Sequence, residues 1–152
     1  MKAATGRPSR SAAVACAAMR DTVLLIDDRA QIDAATERLL EAARGLGYPE
    51  ASEFALRLAV EEAVRNAIVH GHRNLPGEPV ELTWDAGPDA IRITVTDKGP
   101  GFNPEDLPDP TLDENLRKPS GRGVMLMRSF MSSVEFNETG NRVTMVFQRP
   151  EA

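Results

Sequence analysis

The sequence predicts an α+β fold, a two-layer α/β sandwich in which helices cover one face of a mixed, mostly antiparallel sheet. Two observations predict this class. Apolar residues recur at helical spacing in the first half of the chain, for example at Ile32, Ala35 and Leu39. From Val80 onward they alternate with polar residues, which is typical of antiparallel strands with one buried face.

Capping and turn residues place each element in order. Asp27 and Asp28 suit the start of a helix, and Gly45 and Gly47 suit its end. Pro49 then opens a longer central helix. The predicted elements are a strand at 22–26, a helix at 30–45, the central helix from about 50 to 71, a hairpin at 80–84 and 91–95, a helix at 124–131, and a closing hairpin at 134–136 and 143–147.

Length and composition indicate one domain. A chain of 152 residues with 41% hydrophobic content can bury a real core but has no room for a second domain. We assign the domain to residues 21–149. Residues 1–20 contain basic residues and no acidic one, and we predict a flexible N-terminal tail there. A weak signal peptide and a start site at Met19 are the alternatives for this tail.

Charge and cysteine content exclude several classes of function. The chain has 18 Lys and Arg against 23 Asp and Glu, a net charge of -5, which argues against nucleic-acid binding. Its single cysteine, Cys16, allows no internal disulfide and fits a reducing compartment, so we expect a cytoplasmic protein. No apolar run approaches the roughly 20 residues needed to cross a bilayer, so no membrane association is expected.

The central helix carries polar residues at the border of its apolar stripe. Glu62, Asn66 and His70 follow one another at one-turn spacing, whereas Glu61 and Arg65 are predicted to form an ion pair on the outer face. A carboxylate and an amide oxygen one turn apart can orient a hydroxyl and ligate a hard cation such as Mg²⁺. A boundary helix with solvated polar groups is the simpler alternative.

Two glycine motifs follow the helix. Asp97, Gly99 and Gly101 come at the end of a predicted strand, where glycines let the backbone approach a flat ligand and the carboxylate can accept an N–H from a base. Gly121 and Gly123 precede the next helix, where free backbone N–H groups can hold phosphate. Each motif alone is equally compatible with an ordinary turn.

Taken in order, EAVRN at 62–66, DxGxG at 97–101 and GRG at 121–123 resemble the motifs of the GHKL (Bergerat) ATP-binding fold. Within that fold the chain resembles the small anti-sigma-factor serine kinases of bacterial partner-switching systems, over roughly residues 21–149. The resemblance implies ATP and Mg²⁺ as cofactors, with Glu62 as the catalytic base, Asn66 as the metal ligand and Asp97 as the reader of the adenine amino group. The implied ATP-binding residues are Asn66, Asp97, Gly99, Gly101, Gly121, Arg122, Gly123 and Val124.

The same resemblance implies a function. It is that of a serine/threonine kinase that phosphorylates a small anti-anti-sigma factor of the STAS type and sequesters a sigma factor, with no nucleic-acid partner. It also implies a homodimer, which the edge of the N-terminal strand can mediate. Two alternatives are a non-catalytic module that binds a regulator in a nucleotide-dependent way, and the isolated ATPase domain of a phosphorelay histidine kinase.

Some features depart from the family pattern or lack an assigned role. Asn141 stands after Gly140, where related ATPases often have Thr, so contacts from that strand to adenine are in doubt. The polar, proline-containing segment 103–120 is predicted to be a lid. Arg117, Lys118 and Arg122 are the cations expected near a γ-phosphate.

Overall fold

The computed structural model describes residues 19–72, 75, 77–101 and 119–151, without the side chains of residues 119–122. Residues 1–18 lie outside the described residues, and so does segment 102–118, which includes most of the predicted lid at 103–120 with Arg117 and Lys118. The elements are β1 (Met19–Leu25), α1 (Arg29–Gly45), α2 (Ala51–Asn66), a π turn (Ala67–Gly71), β2 (Val80–Ala86), β3 (Ala90–Thr96), α3 (Pro119–Phe130), β4 (Ser133–Phe136) and β5 (Arg142–Gln148).

The five strands form one sheet in the order β1-β2-β3-β5-β4. All four pairings are antiparallel, so the described part of the sheet contains no parallel pair of the kind that a mixed sheet would include. Both predicted hairpins are present, with Ala86 opposite Ile91 in the first and Phe136 opposite Val143 in the second. The predicted α+β sandwich is confirmed.

One face of the sheet forms the floor of the core. Alternate residues of the three central strands are buried, because successive side chains of a strand point to opposite faces. Helices α1 and α2 cover that face with fully buried leucines and valines, including Leu39, Leu56 and Val60. The alternation read from the sequence therefore identifies the covered face correctly.

Helix α1 begins and ends as its sequence predicts. The Asp28 carboxylate accepts hydrogen bonds from the backbone N–H of Ala30 at 2.9 Å and of Gln31 at 3.3 Å. After the helix, Gly47 has a φ of 80°, and the N–H of Tyr48 returns to the carbonyl of Ala43 at 3.0 Å. These bonds satisfy backbone groups that a helix end leaves without partners.

The central helix differs from its prediction at its C-terminal end. It is α-helical only to Asn66 and continues as a π turn to Gly71, and the N–H of His72 donates to the carbonyl of Ala67 at 2.9 Å. Single π turns inside helices are frequent at functional sites. The change of hydrogen-bond pattern comes directly after Asn66, and His70 lies within the π turn.

Helix α3 begins at Pro119, five residues before the predicted start at Val124. It packs antiparallel to α2: Gly123 lies against Glu62 near the C-terminal end of α2, and the ring of Phe130 stands edge-on to Phe54 near its N-terminal end, 5.5 Å between centroids. This packing places the start of α3 beside Glu62 and Asn66 of the central helix.

Strand β1 begins at Met19, so Met19 and Arg20 belong to a strand that pairs with β2, although we assigned them to the tail. This strand lies at one edge of the sheet. In the described part of the chain, no helix has the length and apolar character required to cross a membrane.

Candidate functional site

A narrow pocket, which we call the inner pocket, lies where α2, the π turn, α3 and the ends of three strands meet. One wall comes from α2 and the π turn, and the opposite wall comes from the end of β3 and from the turn between β4 and β5. Its lining residues are Ala63, Asn66, Ala67, Val95, Asp97, Met127, Phe136, Gly140, Asn141, Arg142 and Val143. Its lining is partly apolar with a few polar groups, as is common for ligand sites.

Asp97 supplies the buried carboxylate of this pocket. It is 7% exposed and directly follows β3. Its backbone N–H donates to the carbonyl of Asn141 at 2.9 Å, and its Oδ1 accepts from the N–H of Gly99 at 2.8 Å. Among the described residues no donor reaches Oδ2, which leaves that oxygen for an N–H of a ligand. Burial raises the pKa of Asp97, and the bond from Gly99 partly opposes this effect.

The glycines after Asp97 are required by contacts within the protein. A Cβ built on Gly99 would lie 1.8 Å from the carbonyl oxygen of Gly71, and one on Gly101 would lie 1.6 Å from that of Thr139. Gly101 also has a φ of 80°, which favours glycine. We expected these glycines to admit a ligand, but in the structure the closest neighbours of both are backbone atoms of the protein.

Glu62 and Asn66 lie side by side one turn apart, as the sequence predicts, and the start of α3 touches both. A Cβ on Gly123 would be 2.8 Å from Oε2 of Glu62 and 3.4 Å from both amide atoms of Asn66. Asn66 is 8% exposed and lines the pocket. The absence of a side chain at Gly123 therefore leaves room for the carboxylate and the amide beside the start of α3.

The predicted ion pair between Glu61 and Arg65 is wrong. Arg65 donates instead to Oε2 of Glu62 at 3.3 Å, and Glu61 pairs with Arg29 of α1 at 2.9 Å. Helical spacing allows both partners for Arg65, because residues three and four apart are neighbours on a helix surface. The proximity of α1 decides between them, since Arg29 engages Glu61.

A second and wider opening, of about 600 Å³, lies on the outer side of Glu62. It runs between the start of α1 and the last turns of α2, and we call it the outer groove. Its lining residues are Asp27, Arg29, Ile32, Glu61, Glu62, Arg65, Ile68 and Val69. Asn66 lines the inner pocket and Glu62 the outer groove, so this pair separates the two openings.

The residues predicted at the phosphate end are only partly described. Because α3 begins at Pro119, Gly121 and Arg122 belong to its first turn, whose backbone N–H groups lack partners within a helix. The side chain of Arg122 lies outside the described atoms. Val124 is 4% exposed and belongs to the hydrophobic core, so a ligand could meet only its backbone.

Sequence reasoning missed His72. His72 is buried and bonds to the N–H of Lys98, next to Asp97, whereas His70, which we singled out, lies half-buried in the π turn. Oδ1 of Asn141 accepts from Asn137 at 2.7 Å and from Thr139 at 2.9 Å, so this amide braces its own turn. Sequence reasoning missed His72 because a histidine just after a helix has no distinctive spacing, and its partner, the backbone N–H of Lys98, has no sequence signature.

Comparison with known proteins agrees with this geometry. The sequence profile described as "Histidine kinase-like ATPase domain" matches residues 26–147, which include α2, the pocket and the closing hairpin. The chain belongs to the histidine kinase-like ATPase domain family. Membership of this ATPase family implies that the chain binds ATP.

The chain is similar to several curated members named anti-sigma F factor. It is 34% identical to that of Clostridium beijerinckii over 98 residues, 62% of this chain and 68% of the relative. With the relative from Geobacillus stearothermophilus it shares 31% identity over 121 residues, 78% of this chain and 73% of the relative. With that of Oceanobacillus iheyensis it shares 32% identity over 96 residues, 60% of this chain and 64% of the relative.

Proposed function

We propose that the protein is an anti-sigma regulatory factor and an Mg·ATP-dependent serine/threonine kinase. One observation carries the proposal: the inner pocket has the buried Asp97 carboxylate on one wall and Asn66 on the other, and Glu62 stands next to Asn66 facing the outer groove. Phosphoryl transfer requires a nucleotide, a cation and an oriented hydroxyl in this kind of arrangement.

In this proposal the inner pocket holds the nucleotide. Oδ2 of Asp97 accepts the adenine amino group, while the aliphatic walls contact the faces of the ring. The first turn of α3 directs its N–H groups at the phosphates, and Arg122 is the cation on that turn. The amide oxygen of Asn66 is a hard donor of the type that Mg²⁺ binds, so the residues present fit the metal. When bound, Mg²⁺ neutralises charge on the phosphates.

We assign to Glu62 the role of orienting the acceptor hydroxyl. Its carboxylate borders Asn66 on one side and the outer groove on the other, so a hydroxyl that enters through the groove meets Glu62 next to the phosphate end. Arg65 holds the same carboxylate at 3.3 Å and is largely exposed, so an incoming segment can displace it. Glu62 then orients the hydroxyl and accepts its proton.

The partners are proposed from the relatives. Proteins similar to this chain are named anti-sigma F factors, and we propose a sigma factor as one partner and a small STAS-type anti-anti-sigma factor as the phosphate acceptor. The outer edge of β1, at the edge of the sheet, is the surface we propose for a homodimer.

Transfer of labelled phosphate from ATP to a cognate antagonist tests the kinase assignment. Glu62→Gln should lower the transfer rate by about 100-fold or more, the usual size of a general-base effect, with ATP still bound. Glu53→Gln is the control, because Glu53 is a carboxylate on the same helix that pairs with Arg44 and lines neither opening.

The outcome separates the alternatives. Acid-stable phosphoserine that disappears with Glu62→Gln supports the kinase. Acid-labile phosphoprotein would indicate the ATPase domain of a phosphorelay, and an ATP-dependent complex without phosphoserine would indicate a binding module. Full transfer by Glu62→Gln would remove the base assignment.

A further inference from the structure

His72 lies at the junction between the π turn and the loop that carries Asp97. It is 5% exposed. Nδ1 is 3.0 Å from the carbonyl oxygen of Glu78, and the backbone N–H of Lys98 donates to Nε2 at 2.8 Å. Both ring nitrogens are therefore engaged by backbone groups, one on each side of the ring.

These two partners fix the protonation state of the ring. A carbonyl oxygen can only accept, so Nδ1 must carry a proton; an amide N–H can only donate, so Nε2 must be bare. The structure thus requires the neutral Nδ1–H form of His72. A second proton would place an N–H of the ring against the N–H of Lys98 and remove that bond.

The bond from Lys98 bears directly on the nucleotide pocket. Lys98 stands between Asp97 and Gly99, and the N–H of Gly99 holds Oδ1 of Asp97 at 2.8 Å. The carbonyl of Gly71, one residue before His72, packs on Gly99. The His72 ring therefore ties the end of the central helix to the peptide units that orient the Asp97 carboxylate.

Several charged groups surround this junction. From the end of β3, Asp97 and Lys98 face the ring; from the segment before β2, Glu78 presents its carbonyl while its carboxylate pairs with Nζ of Lys98 at 3.2 Å. His70 lies on the same segment as His72, within the π turn. The Glu78–Lys98 pair is exposed and contributes little to holding the loop.

We propose that His72 is a positioning residue for the nucleotide base. Its neutral ring accepts the Lys98 N–H and so holds the 97–99 loop in the conformation that presents the Asp97 carboxylate to the pocket. This inference rests on the proposed assignment of the inner pocket to ATP.

Two substitutions separate the two bonds of the ring. In His72→Gln the side-chain carbonyl can reach the position of Nε2 and accept from Lys98, whereas in His72→Asn the amide can replace only the Nδ1–H bond to Glu78. The ATP affinity of His72→Asn at pH 8 should fall about five- to tenfold, the value of one hydrogen bond, and that of His72→Gln should stay within about twofold.

Rescue by the glutamine variant is the readout that a general packing role would not produce. His72→Gln and His72→Asn both remove the ring, so a loss of ATP affinity in His72→Asn alone reports the bond from the Lys98 N–H. Equal affinity of His72→Asn and the wild type at pH 8, or an equal loss of affinity in both variants, would overturn the proposal.

A measurement on the unaltered protein covers the case in which a variant does not fold. In the wild-type protein at pH 8 the backbone amide of Lys98 should be protected from hydrogen exchange, and the ring ¹⁵N chemical shifts of His72 should identify the Nδ1–H tautomer. A Lys98 amide that exchanges as fast as an unbonded one, or an Nε2–H tautomer, contradicts the inference. Wild-type protein that binds no ATP at pH 8 would instead contradict the pocket assignment and leave the Lys98 result to decide the role of His72.

Discussion

The contact between Gly99 and Gly71 gives the sharpest test of what the DxGxG glycines do. A Cβ added at Gly99 would lie 1.8 Å from the carbonyl oxygen of Gly71, whereas real Cβ atoms stay beyond 3.0 Å from such neighbours. The two backbone segments must therefore separate by at least 1.2 Å in Gly99→Ala. Backbone atoms cannot rotate away as the end of a flexible side chain can.

The cost of this separation can be worked from the contacts that it disturbs. Overpacking costs about 1 to 3 kcal/mol. The bonds from Gly99 to Asp97 and from Lys98 to His72 cross the same junction, and weakening them adds about 1 kcal/mol each. We expect Gly99→Ala to lower the free energy of unfolding by about 3 kcal/mol, or the melting temperature by about 10 °C in a chain of this size.

Urea unfolding of nucleotide-free protein is the assay, and two other glycines provide controls. Gly87→Ala places a Cβ at an ordinary 3.5 Å from the nearest atom and should change stability by no more than about 0.5 kcal/mol. Gly77→Ala meets no atom within 4 Å but has a φ of 84°, so it should show the backbone cost alone, about 1 kcal/mol. If Gly99→Ala is as stable as Gly87→Ala and loses only ATP affinity, the glycine serves the ligand and our reasoning is refuted.

Three further predictions concern stability. Burial raises the pKa of Asp97 above its ordinary 3.8, so the folded protein keeps this proton to higher pH than the unfolded chain does. The free energy of unfolding should therefore fall as pH rises through the interval just above 3.8. Asp97→Asn should remove that part of the pH dependence in urea titrations. The hydroxyl of Ser52 is buried with no partner among the described residues. Ser52→Ala should therefore stabilise the protein by about 1 kcal/mol in thermal unfolding. A loss of stability in this variant would show that the hydroxyl has a partner. The Arg149 guanidinium donates to the carbonyls of Leu46, Gly47 and Pro88 and lies over the ring of Tyr48. Arg149→Ala should therefore lower the free energy of unfolding by about 2 kcal/mol, and Arg149→Lys by somewhat less. An unchanged unfolding midpoint for Arg149→Ala would show that these contacts do not contribute to stability.

The features predicted correctly from the sequence are those encoded by neighbouring residues. The alternation of apolar residues from Val80 onward identifies the strands and their buried face, and Asp28 caps its helix as its residue type suggests. Glu62 and Asn66 lie together because helical spacing alone places them one turn apart. Each of these inferences depends on a local period or a local hydrogen bond.

The features that were predicted wrongly, or missed, depend on residues far apart in the chain. Helical spacing does not choose between Glu61 and Glu62 as the partner of Arg65; the approach of Arg29 from another helix does. The early start of α3 is likewise outside the reach of a periodicity argument, since Gly121 and Gly123 are poor helix formers by themselves.

The sequence alone therefore determined the fold class, the covered face of the sheet and the order of three motifs, because local period and turn chemistry are written in adjacent residues. Only the tertiary structure decided how those motifs meet. The order of the sheet sets β3 beside β5, which brings Asp97 to Asn141, and the π turn brings Gly71 and His72 against the same loop. The DxGxG glycines thus allow close backbone contact, which depends on where the folded chain passes and cannot be read from spacing.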